Sequence, residues 1–180
     1  MKLLLLSGSF HSKSKSVAIL NALKGYFSEH EYTFPQLDSL PFYCEDLAKD
    51  KPENIRQLIQ DVEIADGIIV CTPEYNHSIP AVLKNAIDWV SRPAFNSVLK
   101  DKPVTIITQA NSPVGGARAQ AHIKLVFDST LSCIHPVHEM MITGVDSVLN
   151  SELQIVDAKV EERLKRHMVN FVEFIDGKSS

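Results

Sequence analysis

Thr72-Pro73-Glu74-Tyr75-Asn76-His77-Ser78-Ile79-Pro80 separates an unbroken apolar run, residues 67–71, from an amphipathic one, residues 81–90. The first run reads as a buried strand and the second as a helix, since Leu83, Ala86, Ile87 and Val90 recur at intervals of three and four. The nine residues between them are then a polar loop at the carboxyl end of a strand. In an open α/β sheet that is where ligands bind, because free amides and helix N-termini collect in the crevice there. As chemistry alone, Pro-Glu-Tyr-Asn is equally an ordinary tight turn, with Pro fixing φ and Asn tolerating a left-handed backbone.

The same alternation runs through the rest of the chain. Residues 2–7, 31–34, 67–72, 103–109 and about 136–142 are strand candidates, most of them near-continuously apolar as for strands covered on both faces. Between them lie one-faced helices carrying Leu20, Leu23 and Phe27, then Ile55, Leu58, Ile59 and Val62. A final helix is expected from near Ser151 to Gly177, with Leu153, Val156, Val160, Leu164, Met168, Phe171 and Ile175 on one side. Strand–helix alternation of this kind implies a parallel sheet. The expected fold class is α/β, a flavodoxin-like three-layer sandwich with a five-stranded parallel sheet in the order 2-1-3-4-5. The switch point between the first and third strands would bring residues 7–16 and 72–78 together.

With 180 residues and 44% hydrophobic side chains, the expectation is one domain, 1–180, with disorder confined to residues 176–180. A formal net charge of -4 with scattered basic residues gives no footprint for nucleic acid. No run approaches the ~20 apolar residues of a membrane span, and the short opening run Lys2 to Leu6 reads as a first strand rather than a signal peptide. Cys44, Cys71 and Cys133 form neither a disulfide framework nor a metal-ligand pattern. A cytoplasmic protein with no metal is expected, with Cys71 in the core.

Two further loops carry candidate chemistry. Ser7-Gly8-Ser9-Phe10-His11-Ser12-Lys13-Ser14-Lys15-Ser16 places hydroxyls, two lysines and helix-terminal amides in one strand-to-helix turn. That composition suits a phosphate, with Gly8 permitting close backbone approach; the alternative is a plain Ser cap beside a solvated loop. After the fourth strand, residues 109–120 contain Gly115-Gly116 at a helix start, which alone is a turn before a helix.

As a string, TPEYNHSIPAVLKNAIDW resembles the NADPH-dependent FMN reductase family, which includes quinone, azo-dye and chromate reductases. Residues 38–43 and Gly-Gly-x-Arg-Ala-Gln at 115–120 are similar to further segments of that family. The resemblance implies that Ser9, His11, Ser14 and Ser16 hold the FMN phosphate, with His11 where an Arg and Ser16 where an Asn is usual. It implies that Pro73, Glu74, Tyr75 and Asn76 border the flavin ring, and that Asn111, Ser112, Gly115 and Gly116 flank its pyrimidine end. Because a His is mostly neutral near pH 7, Lys13 or Lys15 would compensate at the phosphate.

The implied function is an NAD(P)H-dependent FMN enzyme passing two electrons by hydride transfer to a flavin, quinone, azo or similar small-molecule acceptor. No side chain is assigned as catalytic, since the flavin carries the chemistry. A homodimer or homotetramer is expected, without nucleic-acid or membrane partners. The alternatives are a flavodoxin-type electron carrier and an FMN-binding module of weak cofactor affinity. Arg118 is either a contact for a nucleotide phosphate or a partner subunit, or a solvated helical Arg. Trp89 is expected in the core or at a subunit interface, and His30, His122 and His167 at the surface.

Overall fold

The computed structural model describes residues 1–179. Among them, strands β1 (Lys2–Ser7), β2 (Glu31–Thr33), β3 (Gly67–Pro73), β4 (Pro103–Gln109), β5 (Cys133–Ile134) and β6 (Met140–Ile142) form one sheet. Interspersed are helices α1 (Lys15–Tyr26), α2 (Glu53–Ile64), α3 (Ala81–Val90), α4 (Ala117–Ser129), α5 (Val145–Val148) and α6 (Ala158–Ser179). Every strand pair is parallel, and the order is β2-β1-β3-β4-β5, with β6 also on β4. Because β5 pairs with Pro103 and Val104, and β6 with Ile107 to Gln109, the two short strands share the fifth position. The result is the expected flavodoxin-like sandwich.

Alternation along each strand divides the apolar side chains between two cores. Leu3, Leu5, Ile69, Cys71 and Ile107 pack under α1 and α6, while Leu4, Leu6, Ile68, Val70, Val104 and Ile106 pack under α2, α3 and α4. Both faces of β1, β3 and β4 are therefore covered, which is why these strands read as continuous apolar runs. Cys71 is fully buried, and burial pushes its thiol up to about 12, as suits a core residue. Trp89 is also fully buried; its indole N–H donates to Pro41 O at 2.8 Å, and Asn85 Nδ2 donates to the same carbonyl at 3.0 Å. Segment 41–43 is thereby fastened onto α3.

Three sequence expectations need correction. The fifth strand is not a run over 136–142: it is interrupted at residues 135–139 and also uses Cys133–Ile134. Pro136 has no N–H for the ladder, which accounts for a break there. The last helix begins at Ala158, not near Ser151, because Asp157 caps it: Asp157 Oδ1 accepts the N–H groups of Lys159 at 2.9 Å and Val160 at 3.0 Å. Residues 149–155 instead form a reversed turn closed by a Leu149–Ile155 bridge. Finally, α6 continues through Gly177 to Ser179, so residues 176–179 are helical; Ser180 lies outside the described residues.

Candidate active site

The loops after β1, β3 and β4 converge at the carboxyl edge of the sheet. β1 and β3 are in register from Leu3–Gly67 to Ser7–Cys71, and Gly8 N–H continues the ladder by donating to Cys71 O at 2.9 Å. Gly8 has no alternative here: a Cβ would stand 2.1 Å from Thr72 Oγ1 and 2.7 Å from its Cβ. Beyond it the chain bonds to itself. Ser7 Oγ donates to Ser9 O at 2.7 Å, and Ser14 Oγ donates to the same oxygen at 3.2 Å. Ser14 also caps α1, its hydroxyl accepting the Val17 N–H at 3.2 Å. Among the described residues, the amides of Phe10, His11 and Ser12 engage no acceptor. They are left for an anion or water, as a phosphate site requires.

His11 Nδ1 accepts the Lys13 N–H at 3.0 Å. An amide can only donate, so the neutral ring carries its proton on Nε2.

The loop after β3 is a two-residue hairpin. Tyr75 and Ser78 exchange both backbone hydrogen bonds at 2.9 Å, and Asn76 and His77 take φ of 48° and 65°, as a type I′ turn demands. Tyr75 is left standing at the rim with about half its surface exposed. Glu74 points the other way. Its Oε2 accepts the N–H groups of Arg118 at 3.0 Å and Ala119 at 3.3 Å, and its Oε1 accepts from Arg118 Nη1 at 3.0 Å. Gly116 at the α4 N-cap has no side chain to satisfy those amides, so Glu74 caps the helix from another loop. Burial raises the Glu74 carboxyl, but Arg118 and the two amides outweigh it and hold the pKa below its ordinary value. Arg118 is thus committed to a structural ion pair.

The third loop is fixed by Gly115 and Gly116, with φ of 60° and 83°. A Cβ on Gly116 would lie 2.9 Å from Thr108 Cβ, and Thr108 Oγ1 donates to Gly115 O at 3.0 Å. Asn111 Oδ1 accepts the Asp146 N–H at 2.9 Å while its Nδ2 donates to the Asp146 carboxylate, which also receives Lys15 Nζ.

These loops enclose a cavity of about 300 Å³. Of the residues expected at the site, Ser9, His11, Ser14, Pro73, Glu74, Tyr75 and Asn111 line it. Asn76, Ser112, Gly115 and Gly116 shape its loops without lining it. Ser16 is fully buried, its hydroxyl accepting Gln109 Nε2 at 3.2 Å. Lys13, Lys15, Gln109, Ala110 and Val145 line the cavity too. Lys13 and Lys15 were already named from the sequence, and Gln109, a polar residue ending an apolar strand, carried a readable signal; nothing local marked Val145 or Asp146. A larger cavity of about 680 Å³ lies on the outer side of α1 against residues 152–155 and shares only His11 and Ser14 with the site. It receives no loop from β3 or β4, so the smaller cavity is the candidate site.

The family description that matches residues 1–146 is NADPH-dependent FMN reductase. The chain belongs to this family. Similar members include a 2-hydroxy-1,4-benzoquinone reductase of Burkholderia sp, 32% identical over 97% of this chain and 96% of that protein. An NAD(P)H-dependent FMN reductase of Pseudomonas aeruginosa is 32% identical over 93% of this chain and 91% of its own. In structure, the flavoenzyme FerB, an NAD(P)H:(acceptor) oxidoreductase from Paracoccus denitrificans, superposes with a TM-score of 0.90 at 28% identity, covering 98% and 97% of the two chains. Among the described residues of this family member, no helix is long and apolar enough to cross a membrane.

Proposed function

We propose that this protein is an FMN-dependent NAD(P)H oxidoreductase that passes two electrons by hydride transfer to a quinone, flavin, azo or similar acceptor. The observation that carries the reading is the convergence of three loops on one cavity, with unengaged amides at one end and the Tyr75 hairpin at the other. The quinone- and flavin-reducing relatives support the acceptor class. FMN, when bound, supplies the chemistry of taking a hydride from NADPH or NADH and giving up two electrons.

The chain's own part is to bind and orient. Residues 9–14 offer the phosphate the Ser9 hydroxyl, the amides of residues 10–12 and the Nε2–H of His11, while the Ser14 hydroxyl, engaged with Ser9 O and the Val17 N–H, holds the turn. Segment 73–76 offers backbone to the edge of the ring, with Tyr75 as a wall of the mouth, and fixed amide dipoles there favour charge on the ring without reorganising. Gly115 and Gly116 bring the β4 loop close to the strand end, which leaves room beside it. Donor and acceptor occupy the same open face in turn. A homodimer or homotetramer in the cytoplasm, acting on small molecules, belongs to the same reading.

The visible spectrum of the purified protein, recorded with added FMN and then anaerobic NADPH or NADH, tests it. Protein-bound flavin that bleaches on adding either nucleotide is the expected result. Bound flavin that stays oxidised with both would point to an electron carrier, and absence of flavin binding would overturn the cofactor assignment itself.

A further inference from the structure

The phosphate end of the cavity is lined by two lysines whose situations differ. Lys15 Nζ is paired with the carboxylate of Asp146, whereas Lys13 has no ion pair among the described residues. Asp146 does not itself line the cavity but stands directly behind two residues that do. Asn111 bonds it twice, through the Asp146 N–H and through its second carboxylate oxygen. The carboxylate is therefore held with both oxygens occupied, and the Lys15 ammonium, although Lys15 lines the cavity, is paired with it. His11 is likewise restrained: with Nδ1 taken by Lys13 N–H at 3.0 Å, its neutral ring presents one N–H, not the paired donors of a guanidinium.

We propose that Asp146 is a specificity-determining residue of this chain: by occupying Lys15 and placing a negative charge behind the phosphate end, it weakens the hold on a phosphorylated flavin. Among the described residues lining the cavity, Lys13 is then the unpaired cation that remains for the phosphate, beside the uncharged Nε2–H of His11. The inference rests on the functional reading above. It follows from Coulomb's law at short range, since a carboxylate close behind the site opposes an incoming dianion and neutralises a cation that would otherwise attract it. The uncharged ribityl and ring portions of the flavin are indifferent to that charge, so the effect belongs to FMN and not to riboflavin.

The test is to measure dissociation constants for FMN and riboflavin by quenching of flavin fluorescence, at low and high salt. The proteins compared are wild type, Asp146→Asn, Lys15→Ala, the double variant and Lys13→Ala. Asn is isosteric with Asp and keeps an oxygen for Lys15. Asp146→Asn is expected to tighten FMN about three- to tenfold at low salt, less at high salt, with riboflavin unchanged. In the Asp146→Asn, Lys15→Ala double variant that gain should disappear, and Lys13→Ala should weaken FMN more than Lys15→Ala does. Unchanged riboflavin affinity reports that the site is still folded. The proposal is overturned if Asp146→Asn moves FMN and riboflavin alike, which is the mark of a purely structural clamp. It is equally overturned if Lys15→Ala alone weakens FMN as much as Lys13→Ala. Wild type that binds riboflavin but not FMN, or binds neither, would instead overturn the FMN reading and the inference with it, and is told apart by being visible without any variant.

Discussion

The loop around His11 and the cluster around His135 and His167 put one residue type to opposite uses. His11 is exposed, and its ring is oriented by an amide of its own loop. His135 and the α6 residue His167 are both buried, joined by the hydroxyl of Thr105 in the middle of β4, at 3.1 Å from His135 Nδ1 and 2.7 Å from His167 Nε2. A hydroxyl has one proton to give and two lone pairs, so it can donate to at most one of these rings and must accept from the other. His135 also lies 5.3 Å from the Phe174 ring and 5.5 Å from that of Phe171. The surface histidine lines the candidate cavity; the buried pair fills the core beside the broken fifth strand. Burial, not residue type, separates the two roles.

Breaking the buried pair should have the largest effect on stability. Thr105→Val leaves two imidazole nitrogens without a partner inside the core and should cost about 2–4 kcal/mol in urea unfolding, with flavin affinity of the folded protein retained. The pH dependence sharpens the contrast. Burial, then the neighbouring His135 and Arg163, lower the His167 pKa from 6.5 to about 4, and burial lowers that of His135. A depressed histidine pKa means that the unfolded chain binds more protons between those values, so stability is full above about 6.5 and falls as pH drops toward 4. The expected loss is about 3 kcal/mol over that window, and His167→Leu should remove most of the slope. A slope that survives the substitution would assign it to other groups.

The loop region breaks differently. Gly8→Ala drives a methyl group into the buried Thr72, where it meets not only the hydroxyl but also Cβ at 2.7 Å and Cα at 3.2 Å. It should cost about 1–3 kcal/mol in stability and, by displacing the amides that follow, weaken FMN by roughly tenfold or more. Fluorescence titration of the folded variant measures the second quantity independently of the first. In Thr105→Val stability should change and affinity should not; here both should.

Much of this architecture was legible in the residues. β1 and β4 match their apolar runs, and the 3-and-4 spacing of Leu83, Ala86, Ile87 and Val90 gives α3. The convergence of residues 7–16 and 72–78 follows from strand order alone. What failed had physical causes. β5 is two residues long, too short for any periodicity, and Leu153 and Val156 match a helical spacing by coincidence in a segment that Asp157 cuts off from α6. His167 reads as an exposed helical residue until its neighbours are known; it is instead 6% exposed, because α6 packs against β4 and β6 and turns this ring toward Thr105 and His135. At the site, the backbone-defined positions could be read from Gly and Pro, whereas Glu74–Arg118 and Lys15–Asp146 join residues 44 and 131 positions apart. No local pattern marks partners so distant.

The smallest expected effect tests whether the β3 loop belongs with the site or with the scaffold. Glu74 accepts from two α4 amides and from the Arg118 guanidinium, so it ties the Tyr75 hairpin to a helix N-terminus. Glu74→Gln keeps the shape and one acceptor oxygen but loses the charge, and should cost about 1 kcal/mol. Its pH signature distinguishes it from the histidine pair. A depressed carboxyl pKa contributes stability that is present above the ordinary value of 4.5 and is lost as pH falls below it, so Glu74→Gln should flatten only that acid limb. The histidine slope at higher pH should remain. If Glu74→Gln also leaves FMN affinity unchanged, the hairpin is held by its own two backbone bonds and Glu74 serves α4 alone; a several-fold loss would mean that the cap sets the position of the loop beside the flavin.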